Sequence, residues 1–95
     1  MKFAFLIMGE FDFPTDTADI HNGNACIMGV TSLEQACQAA QKLCLEGVNC
    51  IELCGAFGPD GARAVIQATQ NQVPVGYVTH LPEQDALYAQ VFGRP

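Results

Sequence analysis

The sequence predicts an α/β fold, a single small domain with a mostly parallel four-stranded sheet and three helices in the order β-β-α-β-α-β-α. Three observations predict it. Apolar runs rich in β-branched residues alternate with stretches of about 10 to 15 residues whose apolar positions recur at helical spacing, which calls for strand–helix–strand crossovers. Helix-start signals directly follow two of these runs. The first run is apolar almost throughout, as strands covered on both faces are. With 95 residues the chain makes one domain, residues 1–95.

Taken in order, Lys2 to Met8 (KFAFLIM) reads as the first strand. EFDFPTDTADIHNGN, residues 10–24, follows as a polar, acidic connection carrying Pro14 and the turn signal Asn22-Gly23. That is long for a loop in a compact domain, so it is either functional or folds against a neighbour. Phe11 and Phe13 tether it if they pack inward. ACIMGV, residues 25–30, is the second strand. The first two strands can be parallel or antiparallel, because a long connection permits both.

The clearest helix comes next. Thr31 with Glu34, and Ser32 with Gln35, form overlapping capping boxes of which only one can be used. Leu33, Ala36, Cys37, Ala40, Leu43 and Cys44 share one apolar face, and Gly47 suits the C-terminal stop. VNCIELCGAF, residues 48–57, is the third strand, and Gly58-Pro59-Asp60 opens a second helix with Ala62, Val65, Ile66 and Thr69 on its buried stripe. VPVGYVTHL, residues 73–81, is the fourth strand, a parallel neighbour of the third. The last helix runs from about Pro82 to Phe92 and buries Leu87, Tyr88, Val91 and Phe92, with Glu83 and Asp85 placed favourably near its N-terminus.

Composition narrows the partners. Ten acids against four cations give a net charge of −6. Lys2, Lys42, Arg63 and Arg94 are too few and too scattered to follow a phosphate backbone, which argues against nucleic acid, polyphosphate substrates and anionic membranes. The chain is 49% hydrophobic and only 15% charged, a lean polar coat that leaves apolar surface for a homo-oligomer to cover. Five cysteines, with no C-x-x-C spacing, cannot all pair. FAFLIM is too short for a signal-peptide core or a bilayer span. A cytoplasmic location, with the thiols acting as small buried hydrophobes, follows as the expectation.

In open parallel sheets, ligands sit beyond the carboxyl ends of the strands. That rule selects Gly9 and Glu10 after the first strand, the Cys54–Gly61 turn after the third, and Thr79 with His80 after the fourth. Strand alternation puts Cys50, Glu52 and Cys54 on one face. Glu52, among apolar neighbours, is either a carboxyl poised for acid–base work or a structural acid bonded to a loop or subunit. Cys54 lies near a helix start that favours a thiolate, and His80 could approach from the next strand. Gly55, Phe57, Gly58 and Gly61 belong to a turn that matches neither the dinucleotide nor the phosphate-loop pattern. Its amides suit at most a small anion, for which Asp60 competes as an N-cap. Asp12, Asp16, Asp19 and His21 fit no calcium or zinc spacing and read as a solvated acidic loop. No metal is expected, and no cofactor is implied.

KFAFLIMG, GVTSLEQACQAAQKLCLEGVNCIELCGAFG and VPVGYVTH together resemble a family of small prokaryotic proteins of unknown function, with IELCGAFG as the most specific part. The resemblance extends over most of the chain and implies a compact one-domain α/β protein of about this length. It implies no reaction, ligand or catalytic residue, so no role passes to Glu52, Cys54 or Gly58. Three readings therefore stand. One is a small-molecule binder at the C-terminal edge of the sheet, lined by Glu52, Cys54, the 55–61 turn and His80, with Glu10 nearby. Another is an enzyme using Cys54 or Glu52 with His80 on a carbonyl-type substrate. The third is a homo-oligomeric assembly module without a ligand.

Overall fold

The computed structural model describes residues 1–93. Among them, β1 (Phe3–Met8), β2 (Thr17–Ile20), β3 (Ala25–Val30), β4 (Cys50–Leu53) and β5 (Val75–Tyr77) form one sheet in the order β2-β3-β1-β4-β5. The β3–β1, β1–β4 and β4–β5 pairs are parallel; β2 runs antiparallel to β3 at the edge. Helices α1 (Leu33–Leu45), α2 (Gly58–Ala68) and α3 (Asp85–Phe92) follow β3, β4 and β5. Class, helix number and the parallel pairing of the last two strands agree with the sequence reading. The fifth strand is new.

That strand corrects the expectation of an irregular connection over residues 10–24. Thr17-Ala18-Asp19-Ile20 pairs with Met28-Ile27-Cys26-Ala25 across a turn at Asn22-Gly23. His21 (φ 51°), Asn22 (φ 57°) and Gly23 (φ 86°) take the left-handed conformations of a tight reversal. All four strand residues are exposed. With no buried side to demand apolar alternation, the strand is hidden in an acidic stretch.

Ser32 caps α1, accepting a hydrogen bond from the Gln35 N–H at 3.1 Å, and the Gln35 side chain in turn accepts from the Thr31 N–H at 2.8 Å. Of the two overlapping boxes, Ser32 with Gln35 is the one in use. Ala36, Ala39, Ala40 and Leu43 are buried, and the small side chains let α1 lie close to the sheet and to α2. Pro59 sits in the first turn of α2, which buries Gly61, Ala62 and Val65. Both helices cover the sheet face that carries Ala4, Leu6, Met28, Val30, Ile51 and Leu53, and the core lies between. Leu6, Ile51, Leu53, Val30 and Val65 are its largest fully enclosed side chains, each worth about 1.5–3 kcal/mol of burial.

The opposite face has no helix. The register sets its side chains in rows: Ala18, Ile27, Phe5, Glu52 and Gly76 lie side by side across all five strands. Below them runs a second row of Ile20, Ala25, Phe3 and Cys50. Parallel sheets are ordinarily covered on both faces, and this one is not. Phe11 folds back over it, its ring against Gly9 and Gly29.

The C-terminal helix departs from expectation. A 3₁₀ turn, Pro82–Gln84, precedes α3, and α3 buries no residue. Leu87, Tyr88, Val91 and Phe92, expected in the core, are exposed. The sequence identified an apolar helix correctly, but the rest of the chain does not bury its apolar side chains.

Candidate functional site

The carboxyl ends of β1 and β4 meet at Cys54. Its backbone N–H donates to Leu6 O at 3.0 Å, and its Sγ accepts the Met8 N–H at 3.3 Å. The sulfur thus stands where the next ladder carbonyl would be. The half-buried thiol is occupied in holding the strand ends together and packs against the core.

The turn after it is shaped by close approach. A Cβ on Gly55 would lie 3.3 Å from Val78 O, so the strand leaving β5 passes directly over it. Phe57 is 7% exposed and belongs to the core. Gly61 sits under Phe57, where an added Cβ would stand 3.0 Å from the Phe57 Cβ. Gly58 starts α2 at φ 63°, a conformation that favours glycine. Asp60 makes no cap; it pairs with Arg63 at 3.0 Å on the exposed surface, a contact of little energetic weight. These residues form a packed corner, with the Phe57 side chain turned inward.

Glu52 lies on the uncovered face and is exposed. Its Oε1 rests over Gly76, where an added Cβ would come within 2.8 Å, and its Oε2 accepts the Cys50 thiol at 3.6 Å. Gly76 leaves the room that lets the carboxylate lie flat on the sheet. His80 pairs elsewhere: Nε2 is 2.8 Å from Asp85 Oδ1, and the ring stacks on Tyr88 at 3.8 Å. Thr79 and Glu10 are exposed. Glu52, Cys54 and His80 therefore have separate partners, and no hydrogen bond joins any two of them.

The other thiols are held protonated. Burial pushes Cys37 and Cys44 above the ordinary value of 9.0. Burial also raises Cys26, with Asp19 and Glu46 adding to it and Lys2 opposing. For Cys50, burial is again the largest cause, followed by the Glu52 charge and its hydrogen bond. Desolvation and negative neighbours both disfavour a thiolate. Among the described residues no three His, Cys, Asp or Glu side chains are grouped as metal ligands would be. Asp16 instead braces its own loop, accepting the Asp12 N–H at 2.8 Å. No helix of the described residues is long and apolar enough to cross a membrane.

One concave feature lies outside the residues selected from sequence. On the uncovered face an open depression of about 430 Å³ is floored by Ile7, Phe11, Ala18, Ile27 and Gly29, with Asp16 on its rim. The alternation of FAFLIM was the available signal, because it sends Phe3, Phe5 and Ile7 to one side. What the sequence lacked was the knowledge that no helix would cover that side.

No curated protein and no solved structure matches the chain significantly. Residues 1–93 match a family of unknown function, DUF6506. Sheet, helices and the uncovered face all fall within that span, and the chain belongs to this family.

Proposed function

We propose that the protein is a homo-oligomeric assembly module, whose uncovered sheet face is closed by a second copy of the chain. The observation that carries this is the apolar character of that face. Phe3 and Ile20 are 47% and 63% exposed, Ile27 is exposed beside Phe5 and Ile7, and Glu52 is the one charged strand residue among them. A contiguous apolar patch on a small domain marks a contact surface. A closed pair leaves each face dry without any change in the strands. Five free thiols suit a reducing compartment such as the cytoplasm.

Light scattering on the full chain tests the reading. The expected mass is at least twice the 10.2 kDa of one chain. Ile27→Lys, which places a charge at the middle of the face, should return it to one chain with unchanged far-ultraviolet circular dichroism. A wild-type chain that stays single at micromolar concentration sinks the idea.

Small-molecule binding is a second reading, supported by the depression around Ile7, Phe11 and Ile27. It is open in one chain, and a second copy over the face would roof it, favouring a small apolar ligand rather than an anion. The enzymatic reading has less behind it, because Cys54, Glu52 and His80 are each engaged with different partners.

A further inference from the structure

We propose that the two copies assemble by exchanging arms: α3 of each protomer packs on the uncovered sheet face of the other. This rests on the assembly reading above and names the element that makes the contact. The chain carries two apolar surfaces left largely exposed, and they are different surfaces. One is the sheet face. The other is α3, which packs chiefly on the turn before it and buries no residue. After Asp85, the helix ALYAQVF contains no charged residue. A helix apolar on nearly every side is one that lies inside an assembly.

The shape of the chain agrees. Its extents are 39 × 25 × 24 Å, and its radius of gyration of 13.6 Å exceeds the ~12.4 Å of a compact domain of this length. The excess is what a projecting arm produces. Val91 and Phe92 at its tip are 74% and 76% exposed.

The elbow fixes the arm's direction. The Val78 N–H donates to Leu53 O at 2.9 Å, so the chain is held to the sheet as far as residue 78. Beyond it, His80 binds Asp85 across the 3₁₀ turn and stacks on Tyr88, which stacks in turn on Phe92 at 5.7 Å. This clasp ties α3 to its own elbow rather than to its own sheet, and preorganises it for an outside surface.

The areas are of the right order. Leu81, Leu87, Tyr88, Val91 and Phe92 on the arm, with Phe3, Ile20 and Ile27 on the face, are all exposed. With ~150–250 Å² for each aromatic and less for each aliphatic side chain, their exposed parts come to several hundred Å² per protomer, approaching the ~800 Å² per partner of a standard interface. Little local charge opposes the contact: the strands of the face carry Glu52, Asp16 stands on the rim, and α3 after Asp85 has no charged residue. Arm-to-face docking is also self-complementary, so a two-fold axis closes it.

The test uses the full chain with benzoylphenylalanine in place of Phe92, mixing unlabelled and ¹⁵N-labelled protein and irradiating after subunit exchange. The expected products are cross-links from position 92 to the β1 or β3 peptides that join a light chain to a heavy one. In parallel, Val91→Asp with Phe92→Asp, both at exposed positions, should halve the mass seen by light scattering. Cross-links confined to one chain overturn the exchange, as does a stable dimer whose position 92 reaches no strand of the face or whose mass survives both substitutions. In those cases assembly itself still stands. A wild-type protein that is monomeric overturns both.

Discussion

The ring of Phe11 occupies the space that a side chain at Gly29 would need: a Cβ built on Gly29 would stand 2.5 Å from Phe11 Cγ and 2.7 Å from its Cβ. The base of the side chain is the obstacle, so rotation of the ring gives no relief. Gly29→Ala should therefore expel Phe11 from the sheet and destabilise the protein by about 1–3 kcal/mol. Gly76→Ala meets only the mobile end of Glu52 and should cost less than about 1 kcal/mol. Urea titration of the two variants checks the ordering, and equal losses would refute it.

Cys54 makes a structural prediction opposite to that of a reactive thiol. Cys54→Ser keeps an acceptor for the Met8 N–H and should be nearly neutral. Cys54→Ala leaves that amide without its partner and should cost about 1–3 kcal/mol. Denaturant midpoints decide, and a serine variant as unstable as alanine would show that the acceptor is irrelevant.

The thiols give a pH dependence whose sign is fixed. Cys26, Cys37, Cys44 and Cys50 are all raised above 9.0 in the fold, chiefly by burial. The fold thus favours the neutral thiol. That contribution is fully present below pH 9 and is lost as pH rises through the raised values. Thermal melts under reducing conditions should show the midpoint falling above pH 9, and a midpoint rising there would contradict the assignment.

Cys50 differs from the others because a carboxylate contributes to its shift. Glu52→Gln removes that charge and should lower the Cys50 value part of the way, leaving the effect of burial. Iodoacetamide should then modify Cys50 faster at pH 8.5 than in the wild type, while Cys37 keeps its rate. Mass-resolved alkylation reads both sites in one sample.

Helix α1 depends on its cap. Ser32→Ala removes the acceptor for the Gln35 N–H and should cost about 1 kcal/mol. Thr31→Ala should cost less, since the Gln35 side chain also binds the Thr31 backbone N–H, which alanine retains.

How much was legible follows from where each signal originates. The strands under α1 and α2 were readable as apolar runs; FAFLIM suggested cover on both faces, whereas the fold fully buries only the side of Ala4, Leu6, Ile51 and Leu53. The Ser32 cap was readable because it is local. Strand β2 was not, since nothing buried it. The exposure of Leu87, Val91 and Phe92 was not either, because hydrophobicity does not report whether the rest of the chain reaches a residue to bury it. Glu52 was correctly placed on a face with Cys50, but the emptiness of that face belongs to the whole topology. The grouping of Cys54 with His80 had only strand proximity behind it, and the stacking of His80 on Tyr88 draws its ring to the arm instead.

The two rims of the sheet limit what any assembly can become. On one side β2 presents four exposed residues, with Asp16 and Asp19 beside and within it; on the other, β5 lasts only three residues. Neither offers a long, flat, uncharged edge to an incoming strand. An incoming strand would find little to pair with at either rim, which disfavours sideways growth of the sheet into a ribbon.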